Sequence, residues 1–314
     1  MTSLIVENQI QPTRVDKYLS DKFPELSRSI ISLQCKKKLV SLKSGKILAA
    51  GDVLKGGEEL CLSFDTQPLQ ASGLKVSGDL PIKIIFEDEH LVVLEKPSGM
   101  PSVTLTAEDP VTVADSLLKF DPSFVDVSED KREAGLIHRL DTASSGLMIA
   151  ARSTFVWQLL REELKAGRIK KSYSCLVQGE TLYSNYSLSL QLGAKGKKVK
   201  VSENEFVESS ETFSKISTKC SGVFAGKKLS IVSVDAPFAK RHQVRAHLSH
   251  LEHPLVGDTL YGASYGLKEV FKDSSQEFIL HANSLSFTHP IERKELAISS
   301  KNDLLEEVFT SIKK

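Results

Sequence analysis

Between Gly135 and Ala151 the chain leaves a short polar turn for an unbroken apolar run, Leu147-Met-Ile-Ala-Ala151. Such a run, bounded by turn residues, predicts a strand buried on both faces. Upstream, Ile82-Lys-Ile-Ile-Phe86 and Leu91-Val-Val-Leu94 flank Glu87-Asp-Glu-His90 and predict a hairpin. Val15, Tyr18, Leu19 and Phe23 recur at helical spacing after Pro12-Thr13, which predicts a short amphipathic helix. Ser27 is placed to cap a second helix that carries Ile30, Ile31 and Leu33 and ends in Lys36-Lys37-Lys38. Segments 39–42 and 58–62 have strand character around Gly45, Gly51, Gly56 and Gly57. Further helices are expected at 113–120 and 155–166, and strands at 173–177 and 228–234. Short strands with few helices imply an α+β domain on an antiparallel or mixed sheet.

Length changes this picture modestly: 314 residues suffice for one large domain and a small one. The expected division is a small module at 12–64, a linker at 65–80 (Asp-Thr-Gln-Pro onward) and a main domain at 81–314. The formal net charge of +1 hides an uneven distribution. Residues 11–64 carry ten Lys/Arg against six Asp/Glu, and residues 161–200 carry nine against three. The net charge alone announces no polyanionic partner; what the charge pattern gives is two basic patches on a near-neutral body. The four cysteines are widely spaced with no CxxC pair, which argues against a disulfide framework or zinc knuckle. The N-terminus lacks a basic, then apolar, leader pattern, and no apolar run reaches membrane-spanning length. A cytoplasmic, soluble protein with no membrane partner is expected.

The chemistry concentrates in two places. The first is Gly135-Leu-Ile-His138-Arg139-Leu140-Asp141-Thr-Ala-Ser144-Ser145-Gly146, where an acid sits between apolar segments. A carboxylate there must be paired or used; a turn acid paired with Arg139 is the structural alternative. His-Arg-Leu-Asp differs from a kinase catalytic loop by the intervening leucine, and no glycine-rich phosphate loop or Asp-Phe-Gly accompanies it. Gly222-Val-Phe-Ala-Gly226-Lys227 is one residue short of a Walker A loop. The second place is Lys240-Arg241-His242-Gln243-Val244-Arg245-Ala-His247, followed by His250 and His253. Four histidines in twelve residues raise a metal site, but the spacing is not that of a zincin helix and three cations adjoin them. A basic element that supplies a counter-ion to a carboxylate and contacts phosphates is the preferred reading, with no metal.

Together these blocks resemble the RluA family of pseudouridine synthases. The family pattern of His-Arg-Leu-Asp, a Ser-Ser-Gly turn and an apolar strand is matched by His138-Arg139-Leu140-Asp141, Ser144-Ser145-Gly146 and the run that follows. Lys96-Pro97-Ser-Gly99 resembles its Lys-Pro-x-Gly segment, Lys171-Ser-Tyr173 its Lys-x-Tyr strand, and His242-Gln-Val-Arg245 through Tyr261-Gly262 its closing motif. The basic helical module, with Lys38 where a turn glycine is common, resembles an S4 RNA-binding domain. Phe238-Ala239-Lys240-Arg241 departs from the family's Thr-Gly-Arg-Thr/Ser, losing a glycine and a planar bidentate fork.

The resemblance implies a pseudouridine synthase fold with a central mixed, mainly antiparallel sheet, preceded by a small S4-like α/β domain. It implies isomerisation of uridine in structured RNA, large-subunit ribosomal RNA foremost and transfer RNA as the alternative, by a monomer needing no cofactor. Asp141 would be the essential acid, Tyr173 the tyrosine against the uracil and Arg245 the ion-pair partner of Asp141. Arg139, His138, Lys171, Lys240, Arg241, His242 and Gln243 would meet the substrate. Arg14, Arg28, Lys36, Lys37 and Lys38 would carry RNA contacts of the S4-like module. A non-catalytic RNA-binding relative is the competing reading, and the intact Asp141, Tyr173 and Arg245 argue against it.

Overall fold

A computed structural model describes residues 2–8, 11–23, 28–63, 81–105, 109–196, 198–203 and 209–312. The chain divides into two units, Met1–Gly73 with Leu105–Asp109, and Leu74–Thr104 with Pro110–Lys314. The expected cap Ser27 and linker 65–80 lie outside the described residues.

In the first unit, strand β1 (Thr2–Ile5) precedes β2 (Thr13–Arg14), helix α1 (Val15–Lys22) and helix α2 (Arg28–Lys36). Strands β3 (Val40–Leu42), β4 (Val53–Leu54) and β5 (Glu59–Leu62) follow. β1 pairs with β5 and β5 with β3, so the module starts ten residues before the expected position 12. Val15, Tyr18 and Leu19 of α1 pack with Ile31 and Cys35 of α2 and with Val40, Leu60 and Leu62. The helical spacing read from the sequence is therefore the face that builds this core. Lys38, at the turn after α2, has φ +62°, so a lysine occupies a left-handed position that favours glycine.

The second unit is built on a mixed sheet. Its elements are β6 (Lys83–Glu87), β7 (Leu91–Lys96), α3 (Val113–Phe120), β8 (Ser145–Ala151), α4 (Thr154–Lys165) and β9 (Lys170–Gln178). Then come β10 (Tyr186–Lys195), β11 (Lys198–Ser202), β12 (Ser209–Phe224), β13 (Lys227–Asp235), α5 (Gln243–His250), β14 (Leu280–Thr288), β15 (Glu295–Ser299) and α6 (Asp303–Ile312). The strand order is β11-β10-β12-β13-β9-β14-β8-β7-β6, with β15 beside β14. Among the described pairings β8 with β14 is parallel and the others are antiparallel. This is the α+β, mainly antiparallel architecture expected.

β8 is buried at every position, which is why it reads as a continuous apolar run. β9 faces two cores: Cys175 and Val177 join Val234, Val244 and Phe278, while Leu176 joins Ile231, Ile279 and Leu305 of α6. α3 begins in a capping box, in which the Thr112 hydroxyl accepts from the Asp115 N–H and the Asp115 carboxylate from the Thr112 N–H.

Candidate active site

The loop that carries Asp141 joins a buried approach to β8, and side chains from both sides fix its backbone. On the approach, the Trp157 indole of α4 donates to the Leu136 carbonyl at 3.1 Å and Arg161 Nη1 to the Ile137 carbonyl at 2.9 Å. Beyond it, the Ser102 hydroxyl both donates to the Leu140 carbonyl and accepts the Leu140 N–H, at 2.8 and 3.1 Å. The Thr142 carbonyl receives Lys96 Nζ at 3.0 Å and the Gly99 N–H at 2.8 Å. Ser98 Oγ donates to the Ala143 carbonyl at 2.7 Å. The Lys-Pro-x-Gly segment is thus a cradle that fixes the backbone on both sides of Asp141.

Lys96 is the centre of that cradle. It has no exposed surface, and its ammonium donates to the Pro97 and Met100 carbonyls, at 3.0 and 2.7 Å, besides Thr142. Burial lowers it to about 7, against a smaller opposing pull from the Asp141 charge. Gly146, at the end of the loop, has φ +113°, and a Cβ there would lie 2.4 Å from the Ala282 carbonyl oxygen. Glycine is what lets β8 approach β14 at the foot of the site.

Arg245 enters from α5 and is 6% exposed. Its Nε and Nη2 form a fork on both carboxylate oxygens of Asp258, at 2.7 and 2.8 Å, and its Nη1 reaches Asp141 Oδ2 at 3.2 Å. The guanidinium also lies 4.6 Å from the Phe278 ring centroid and 5.0 Å from that of Tyr261. Asp141 is therefore paired with Arg245 and not with Arg139. Its side chain remains 26% exposed, so one carboxylate is both anchored and accessible.

His242 completes the surround, with Nε2 3.7 Å from Asp141 Oδ2. Its backbone is left-handed, φ +56°, and its Nδ1 is 3.1 Å from the Tyr261 hydroxyl, which accepts the Val199 N–H at 2.9 Å. Burial lowers His242, with the Arg245 and Arg241 cations adding to it and Asp141 opposing. Tyr173 on β9 is 5% exposed. Burial raises its phenol, and the nearby Asp141 charge raises it further, so the hydroxyl stays protonated at neutral pH.

Other expected site residues fall elsewhere. His138, expected at the substrate, is buried and accepts the Ile149 N–H on Nε2 at 3.3 Å. Burial, aided by the Lys171 and Arg161 cations, lowers it to about 3, so it is neutral and braces β8. Gln243 is likewise engaged within the protein. At 1% exposure its amide donates to the Phe213 carbonyl and Ser214 hydroxyl while its Oε1 accepts the Lys240 N–H. Lys171 is buried near His138. Arg139 and Lys240 are exposed, and the exposed Arg241 donates to the Gly196 carbonyl at 3.1 Å. In the first unit Arg14 and Arg28 both bind the buried Asp16, at 2.9 and 3.2 Å, while Lys36, Lys37 and Lys38 are exposed.

The four clustered histidines diverge. His242 faces Asp141, His247 Nε2 meets the Thr212 hydroxyl at 3.0 Å, His253 Nδ1 lies 2.9 Å from the Gln178 carbonyl, and His250 is exposed. Among the described residues no group of three His, Cys, Asp or Glu side chains is disposed to hold a metal. Two residues central to the geometry were not singled out from sequence, Asp258 and Lys96, although each lies inside a block that resembles the family. No described helix is long and apolar enough to cross a membrane.

Residues 90–250 match the RNA pseudouridylate synthase family. A ribosomal large subunit pseudouridine synthase D of Xanthomonas campestris is 27% identical over 306 residues, covering 94% of this chain and 87% of that one. One of the same name from Xylella fastidiosa is 29% identical, covering 88% and 82%, and an uncharacterized RNA pseudouridine synthase of Helicobacter pylori is 28% identical, covering 96% and 89%. In structure the chain resembles human RNA Pseudouridylate Synthase Domain Containing 1, with TM-score 0.56, 18% identity and coverage of 75% and 98%. The match over half the chain, on a fold of the same kind, makes this protein a member of the RNA pseudouridylate synthase family and an RNA pseudouridine synthase.

Proposed function

We propose that Asp141 is the essential acid of this isomerase and that its substrate is large-subunit ribosomal RNA. The observation that carries the catalytic part is the single carboxylate held by the clamped Arg245 yet open on one side. Breaking the N1–C1′ bond builds positive character at C1′, and a fixed carboxylate can add to C1′ or remove the C2′ proton. The uracil departs as a stabilised anion, turns within the pocket, and joins C1′ through C5. Tyr173, protonated, packs beside the base and orients it. On the C2′ route Asp141 returns its proton to C2′ as C5 joins C1′. On either route the C5 proton then passes to a base, a part that Asp141 can take once free, and N1 takes up a proton in its place.

Arg139, exposed at the rim two residues before Asp141, fills the gap left by the flipped nucleotide. His242, Lys240 and Arg241 line the entry and contact the strand, and the first unit acts as an S4-like RNA anchor through Lys36, Lys37 and Lys38. The ribosomal target is supported by the relatives of that name, which align over nearly the whole chain. The test is to map pseudouridines in total RNA from a deletion strain complemented with wild-type or Asp141→Ala protein. Wild-type should restore a large-subunit rRNA position and the variant should not, while purified variant still binds that RNA. Restoration by the variant would remove Asp141 from the chemistry, and restoration confined to transfer RNA would replace the target.

A further inference from the structure

Lys171 and Tyr173 alternate with exposed or half-buried neighbours on β9, so their side chains share the inward face. Lys171 is 7% exposed; no hydrogen bond or ion pair holds its ammonium among the described residues, and the ammonium keeps a small opening to solvent. No carboxylate acts on its charge, although that of Glu133 acts on the neighbouring Arg161. His138 is neutral and accepts from the Ile149 N–H, and Arg161 is a second cation, spent on the Ile137 carbonyl and stacked 5.2 Å from the Trp157 ring. A cation nine-tenths buried with no counter-charge loses most of its hydration and gains no ion pair in return. Burial accordingly lowers it to about 8, and no neighbouring carboxylate raises it back.

We propose that the Lys171 ammonium binds a backbone phosphate of the substrate RNA next to the uridine that Asp141 attacks. The inference rests on the RNA-isomerase reading of that site. Phosphates are the only anions RNA presents before bond cleavage, and one brought to Lys171 supplies the charge its surroundings lack. Two strand residues span about 6.6 Å, which sets Lys171 beside Tyr173 on the same face of β9.

The experiment uses the full chain and the RNA fragment containing the uridine mapped above. Lys171→Met should bind it about ten- to a hundredfold more weakly, the loss of one charged hydrogen bond. The slope of log affinity against log salt should become shallower by about 0.7–0.9, the share of one phosphate. The RNA-free variant should melt at or above the wild-type temperature. An unchanged affinity and slope overturns the proposal, and a fall in kcat alone would place Lys171 on the uracil anion instead. Should Lys171→Met fail to fold, 13C NMR of the Lys171 ε-carbon in wild-type protein replaces it. Its titration midpoint should rise when the fragment binds, and no rise overturns the proposal. If no RNA is isomerised by wild-type protein, the functional reading itself fails, which is a separate result.

Discussion

Arg245 and Lys171 are cations of one catalytic unit, exposed to 6% and 7%, and they could hardly be provisioned more differently. Arg245 spends Nε and Nη2 on Asp258, Nη1 on Asp141, and its flat faces on Phe278 and Tyr261. Lys171 has no such partner among the described residues. Lys96 stands between them, without a carboxylate contact but ringed by three carbonyls. Burial alone therefore does not assign a role; the inventory of partners does. A saturated cation can hold another group still, and an unsaturated one is ready for a ligand.

Asp258 is where the two cations differ most. Asp258→Ala leaves Arg245 buried with one 3.2 Å contact to Asp141 in place of a fork. A buried pair broken on one side costs about 3–5 kcal/mol, to be read from urea unfolding at neutral pH. Isomerase activity should fall as well, because Asp141 loses a rigid partner. A variant as stable as wild type would mean that Arg245 does not depend on its saturation.

Lys96→Met asks whether carbonyls can substitute for a counter-ion. The Pro97 and Met100 carbonyls lose their ammonium donor, while the Thr142 carbonyl keeps the Gly99 N–H. The expected loss is about 2–4 kcal/mol, since each unsatisfied buried polar group costs ~1–3 kcal/mol and removing a buried charge offsets part of it. Activity should drop about a hundredfold, the scale set by a misplacement near 1 Å in the reacting loop. Stability lost without a larger loss of kcat would limit Lys96 to folding.

How much of this was legible in the sequence follows the same division. Elements that bury apolar side chains announce themselves: β8 as an unbroken run, α3 over the predicted 113–120, and β6–β7 as a hairpin around its polar turn. Asp141 is legible because an acid between apolar segments is anomalous. β12 is not legible, because it turns Thr212 and Ser214 inward to meet His247 and Gln243 while Phe213 stays 38% exposed. The period-2 hydrophobic signal is inverted where the sheet grips α5 through polar groups. Asp258 is silent for a related reason: its value lies in Arg245, thirteen residues back on a helix, and no local periodicity reports a fork. The partner state of Lys171 is silent too, since a lysine on a strand looks the same whether paired or not.

That last difference has a signature in pH. Lys171 is lowered to about 8 and Lys96 to about 7, both from 10.5. Below about pH 6 the cost of burying both charges is fully present. As pH rises past these values the folded protein releases protons that the unfolded chain keeps until about 10.5. The unfolded state then binds more protons, so stability increases with pH. His138 and His247, lowered to about 3 and 4, act with the same sign but only below their ordinary value of 6.5. Cys175 and Tyr173, raised by burial, act with the opposite sign above their ordinary values of 9 and 10. Between pH 8 and 9 the two lysines therefore dominate. Lys171 should contribute about 1 kcal/mol of added stability there, present in wild-type protein and missing from Lys171→Met, with the part due to Lys96 common to both. Bound RNA should hold Lys171 charged and erase this difference, because the phosphate supplies what Asp258 supplies to Arg245.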